Sequence, residues 1–172
     1  MQLRTIDKGL YQKRFKRVAL GLAVSLALMA LLFSTLLIAL FAGDNLGNSA
    51  NNSALNGAGV LLAAVLLVMV LRKLEARPYF AEVAYVWHLK QELNQISRRM
   101  NNIKAAAQQG NQQAMTILSF SYQGSKQLWQ LDDNTLLMEE LSLWQAELEA
   151  LQLRFNVSVS KEHYQRELLQ DF

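Results

Sequence analysis

Residues 18–42, VALGLAVSLALMALLFSTLLIALFA, run for 25 positions without a charged side chain. At about 1.5 Å per residue, a helix of that length reaches roughly 37 Å and exceeds the ~30 Å hydrocarbon core of a bilayer. Nine of the residues are leucine. Each such side chain favours insertion by about 0.3–0.6 kcal/mol, and no Asp, Lys or Arg opposes it at about 2.5–3.5 kcal/mol apiece. Core helices of soluble proteins rarely continue this far without a polar stripe. A secretory leader has a basic start like this one, but its apolar stretch holds only about 7–15 residues. The run therefore reads as an uncleaved anchor.

A second apolar run, residues 54–71 (ALNGAGVLLAAVLLVMVL), follows a segment rich in Gly, Asn and Ser at 43–53. The two runs predict a transmembrane helical hairpin with a solvated connection. The connection carries Asp44 and no basic residue, whereas Arg4, Lys8, Lys13, Arg14, Lys16 and Arg17 precede the first run and Arg72, Lys73 and Arg77 follow the second. Basic flanks stay in the cytoplasm, so both termini are expected there and the loop outside. The same nine cations are expected to meet anionic lipid headgroups at about 1 kcal/mol each.

The stated net charge of +3 conceals this asymmetry. Residues 79–172 hold eight basic and eleven acidic side chains. An acidic C-terminal part disfavours nucleic-acid binding. The absence of cysteine excludes disulfides, thiolate metal sites and Cys nucleophiles.

Pro78, the one proline, suits the first turn of a new helix. Tyr79, Phe80, Tyr85 and Trp87 follow it, as interfacial or core aromatics. Val86, Leu89, Leu93, Ile96, Met100, Ile103 and Ala107 then alternate at three and four residues, a heptad seam. Gly110 breaks that helix and Asn111 can begin the next. The second helix runs to Leu131, with Ala114, Ile117, Leu118, Phe120, Leu128 and Leu131 inward. Gly124 within it implies close helix packing. Residues 132–135 suit a turn. A second seam follows at Leu137, Leu141, Trp144, Leu148, Leu151 and Phe155.

The expected fold is all-α, a membrane hairpin followed by a cytoplasmic three-helix, coiled-coil-like bundle. Its segments are a basic start (1–17), the spans (18–42 and 54–71) around an external loop (43–53), a basic flank (72–77), the bundle (78–155) and a tail (156–172). In the tail, 157–159 looks extended and Ser160 can cap a short last helix.

The stretches YVWHLKQELN (Tyr85–Asn94) and YQGSKQLWQLDDNT (Tyr122–Thr135) resemble a gammaproteobacterial family of small two-span inner-membrane proteins known as a domain of unknown function. The resemblance covers residue 1 to about 153. It implies the bacterial inner membrane and supplies no catalytic residue. KAAAQQGNQQAMTILSFSYQG (Lys104–Gly124) resembles one unit of a Sel1-type repeat. A solenoid needs about three such units, so this likeness supports only a helix hairpin bent at Gly110.

Chemical constellations are sparse. His88 and Glu92 lie one turn apart but lack a third ligand, so a surface pair is expected. Asp132 and Asp133 suit a turn better than acid–base work. His163 has no evident partner, and Asn51–Asn52–Ser53 forms a sequon without meaning in a bacterium. In the spans, Ala19, Ala23, Ala27, Ala30 and Ser34 form a small-residue seam, and Gly59 and Ala63 form a small pair. Such residues let membrane helices approach closely, either within one chain or between copies. The expected function is non-enzymatic and without cofactor: the bundle self-associates, most simply as a dimer, or docks a protein partner. Trp129, Leu143 and Trp144 are the surplus apolar surface expected to support that association. The alternative is a small oligomeric channel lined by Ser25, Ser34 and Thr35.

Overall fold

The computed structural model describes residues 1–41, 49–75, 77–134 and 136–172, with 49–51 in backbone only. Among these residues all regular structure is helical. Two long apolar helices, α1 (Lys8–Phe41) and α2 (Ser49–Leu74), precede α3 (Ala81–Arg98), α4 (Met100–Gln108), α5 (Gln112–Leu131) and α6 (Met138–Phe155). Short 3-10 turns stand at Pro78–Phe80, Lys161–His163 and Arg166–Asp171. The chain divides into two units: Lys13–Val83, and Met1–Gln12 together with Ala84–Phe172.

Both long helices are apolar enough to cross a membrane and expose nearly all of their surface. α1 begins well before its apolar run because the Asp7 carboxylate accepts from the Leu10 amide at 2.7 Å, an N-cap. No glycine pair or proline interrupts the basic residues that follow. α2 is helical from Ser49, so the backbone at 49–53, expected to lie in the connection, is already part of the helix. Asp44 and most of that connection lie outside the described residues.

Within the Lys13–Val83 unit, α1 and α2 meet at a small-residue contact. A Cβ built on Gly59 would lie 2.5 Å from Ser34 Oγ and 2.6 Å from Ser34 N. The Ser34 hydroxyl donates to the Asn56 carbonyl at 3.2 Å. Ala63 is fully buried and Ala30 half-buried. The expected seam needs correction in its first half. Ala19, Ala23 and Ala27 are exposed, while Leu22, Leu26, Phe33 and Leu37 on the adjoining face are half-buried. Steps of four residues advance about 40° per step around a 3.6-residue helix, so an alanine stripe drifts off a straight line of contact. Of the expected small residues, Ala30, Ser34, Gly59 and Ala63 lie on the covered side of the spans.

The second unit is built around α5. Its exposed neighbours in sequence are few: residues 114–122 are buried without interruption. α4 and α6 pack on α5, as do the two C-terminal 3-10 turns. Gly110, at φ +90°, makes the turn between α4 and α5, and a Cβ there would meet the Phe155 ring at 2.8 Å. The Asn111 side chain caps α5 by accepting from the Ala114 amide at 3.0 Å. A Cβ built on Gly124 would lie 3.3 Å from Leu89 and 3.2 Å from Leu93 of α3, so the absence of a side chain there allows the close approach. The helix hairpin at Gly110 and the close approach at Gly124 match the sequence reading. The single helix expected over the first seam is instead two, parted at Arg99 (φ −113°, ψ 6°), whose guanidinium donates to the Leu169 carbonyl at 2.7 Å.

The ends of the chain complete this core. Tyr164 and Leu169 are nearly inaccessible. The Tyr164 ring stacks on Phe120 with centroids 3.9 Å apart and planes 14° from parallel. At the other terminus Met1, Leu3 and Ile6 pack against the core, and Tyr11 is buried in it. The Arg4 amide donates to the Tyr85 hydroxyl at 2.9 Å, which donates to Gln127 at 3.1 Å.

Candidate interaction surface

α6 carries an exposed apolar face in addition to its buried one. The inner face is the seam read from the heptads: Leu141 and Leu148 are buried, and Trp144, Leu151 and Phe155 are half-buried. Leu137 is a correction to that seam. It occupies the N-cap position, outside the helix, and is exposed. The outer face carries Leu143, Ala146, Ala150 and Leu153, also spaced three, four and three, and all four are exposed. Leu143 is 69% and Leu153 is 83% exposed. Two leucines bracketing two alanines give a shallow, knobbed surface on which a second helix can lie close. Glu139 and Glu140 stand at the start of this helix and Arg154 at its end, which also suits the helix dipole.

The surplus apolar surface expected at Trp129, Leu143 and Trp144 reduces to Leu143. Trp129 and Trp144 pack against their own core. Trp144 lies 5.9 Å from the Tyr122 ring, with the Lys104 ammonium 5.3 Å above it.

The first heptad seam holds. Val86, Leu89, Ile96 and Ile103 are buried, and Leu93 and Met100 are half-buried. Trp87 is exposed. The pair read as a surface couple does not remain one. His88 is exposed, but Glu92 is buried and accepts the Tyr164 hydroxyl hydrogen at 2.7 Å, with the Arg166 guanidinium 3.8 Å from its other oxygen. Burial, with the Glu92 carboxylate adding to it, holds the Tyr164 hydroxyl protonated far above the ordinary tyrosine range. Burial and the charge of Glu147 push Tyr122 up to about 12. The contact between Glu92 and Tyr164 spans 72 residues, so no local pattern announces it.

The nine basic residues take several roles. Lys8 pairs with Asp133, and Arg14 pairs with Glu82 while its guanidinium lies 5.1 Å over the Tyr79 ring. Lys13, Lys16, Arg17, Arg72, Lys73 and Arg77 are exposed. Arg4 is exposed too, on the N-terminal segment of the α5 unit. Asp132 pairs with Lys90 at 2.7 Å, and Asp133 also accepts from Gln12 at 2.8 Å. The two aspartates therefore close a turn and tie it to neighbouring segments. Among the described residues no three His, Cys, Asp or Glu side chains are grouped to hold a metal ion.

The architecture defines an all-helical protein: two helices long and apolar enough to span a membrane, followed by a helical unit centred on one enclosed helix. Residues 1–169 match the model of DUF3087, described as a protein of unknown function, and the chain belongs to that family. No curated protein and no solved structure matches it.

Proposed function

We propose that the chain is a two-span protein of the bacterial inner membrane, with both termini cytoplasmic, whose helical unit joins two copies through the outer face of α6. The role is one of assembly rather than catalysis. The observation that carries it is the exposed stripe Leu143, Ala146, Ala150, Leu153.

The occupant that best suits the stripe is a second α6, antiparallel to the first. In that register Leu143 of each copy opposes Leu153 of the other and Ala146 opposes Ala150, so the large and the small residues form matching layers. The same register brings Arg154 of each copy to the first turn of the other, beside Glu140. An isologous arrangement of this kind closes on itself as a dimer. Confinement to a membrane raises the effective concentration of the two copies. Two hydroxyls weigh against a pore: Ser34 is spent on Asn56, and Thr35 donates back to the Leu31 and Leu32 carbonyls of its own helix.

Two measurements test this reading. Light scattering of the full chain in mild detergent, with detergent subtracted, is expected to return the mass of two chains. Leu143→Glu together with Ala150→Glu is expected to return one chain with the melting temperature unchanged. A single-chain mass for the wild type at every concentration would remove the dimer. Orientation is tested separately. A reporter active only outside the cytoplasm should work when inserted at 43–53 and be silent after Phe172; the reverse result overturns the orientation.

A further inference from the structure

A groove of about 640 Å³ lies within the α5 unit, floored by Leu3, Ile6 and Leu131 and open to solvent. Its volume falls within the ~300–1,000 Å³ typical of small-ligand sites. The polar lining comes from four separate segments: Arg4 from the N-terminal stretch, Gln123, Lys126 and Gln130 from α5, Gln145 from α6, and Lys161 from the tail. No carboxylate is among the lining residues. That is notable in a part of the chain where acidic residues outnumber basic ones.

The partnering of these groups separates structure from function. Lys8, at the rim, is neutralised by Asp133. Gln127 is spent on the Arg4 carbonyl and the Tyr85 hydroxyl. Among the described residues, the side chains of Arg4, Lys126 and Lys161 have no carboxylate within ion-pair distance. The side-chain amides of Gln123, Gln130 and Gln145 make no hydrogen bond among the described residues either. Three cations and three amides thus converge on one concavity with their donors unspent. Like charges gathered without counter-charge repel one another, and a bound anion relieves that repulsion.

We propose that this groove binds a phosphate-bearing ligand. A lone phosphate is far smaller than the groove, so the ligand carries more than one phosphoryl group or an organic part that rests on Leu3, Ile6 and Leu131. Two or more negative charges match the three cations. The arginine fork and the amides supply directed donors to phosphoryl oxygens, while the lysines act as point charges. The ligand is either a soluble phosphate compound or an anionic lipid headgroup. The groove is distinct from the outer stripe of α6 and does not depend on the dimer.

The test uses the full chain in nanodiscs of phosphatidylcholine, titrated with inorganic pyrophosphate by calorimetry. Saturable binding is expected. Lys126→Gln with Lys161→Gln should weaken it at least tenfold, and Gln123→Glu with Gln130→Glu should abolish it by placing carboxylates in the groove. Circular dichroism melts matching wild type are expected for both, because none of the four side chains makes a hydrogen bond or ion pair among the described residues. Leu143→Glu should leave binding unchanged. Repeating the titration in discs containing phosphatidylglycerol identifies the source: pyrophosphate binding lost there marks a headgroup site, and binding retained marks a soluble ligand. Absence of saturable binding, or binding indifferent to both double variants, overturns the proposal.

Discussion

α1 and α5 are both apolar helices, yet their surroundings are opposite. α1 leaves Leu20, Leu28, Leu31, Leu32, Leu36 and Leu40 more than half exposed. α5 buries Met115, Ile117 and Phe120 completely. The difference lies in what covers each helix. α5 is covered by α4, α6 and the C-terminal turns, so its stability is written in side-chain packing. α1 joins a core only through Tyr11 in its first turn, meets α2 around Ser34 and Gly59, and leaves those leucines uncovered. The same residue type therefore packs a core in one helix and in the other stays uncovered along a length and hydropathy that suit a bilayer.

The largest expected effect that separates them is Phe120→Ala. It deletes a fully buried ring and its stacking on Tyr164, and should cost the helical unit about 3–5 kcal/mol. Leu31→Ala, also a large deletion in an apolar helix, should change the same melt by under about 0.5 kcal/mol. Both are read from thermal unfolding of the full chain in detergent. Equal losses would erase the contrast between the two helices.

A smaller effect tests the contact between α1 and α2. Gly59→Val forces a branched side chain onto the Ser34 backbone, and should destabilise the pairing of α1 and α2 by about 1–3 kcal/mol. The expected readout is faster proteolysis of the hairpin in detergent, with the melt of the helical unit unchanged. A variant as resistant as wild type would mean that the two helices are not held at this contact.

Tyr164→Phe sharpens the other side of the comparison. It preserves the stacking on Phe120 but leaves the buried Glu92 without its donor, at a cost of about 1–3 kcal/mol. The pH dependence follows from the raised tyrosines. Their folded-state hydroxyls ionise above the ordinary value of 10, so the stability they confer is complete below about pH 10. It is lost as pH rises from there through the folded-state value, which for Tyr122 is about 12. Alkaline titration of the wild type should show that loss, and Tyr164→Phe should show a shallower one. Identical slopes would place Tyr164 outside the alkaline transition.

Much of this molecule was legible one segment at a time. The two apolar runs, the turn at Gly110, the cap at Asn111 and the inward positions of α5 each follow from hydropathy, backbone freedom or period, and none needs a distant partner. α6 marks the limit. Its sequence holds two stripes of the same three–four spacing, and either could face inward. The stripe through Leu141 and Leu148 is inner because it meets α5; the other is left for a partner by default. The alanine stripe of α1 shows the same limit from the other side, since its spacing alone did not fix which face meets α2.

The sequence by itself determined which segments are helical and which of them suit a bilayer, because propensity and hydropathy are sums over neighbouring residues. Only the tertiary structure decided that a tail of short turns would bury Tyr164 against Phe120 and Glu92, and that Arg4, Lys126 and Lys161 would share one groove. Those groups are separated by tens of residues, and their juxtaposition depends on long-range packing that no local period encodes.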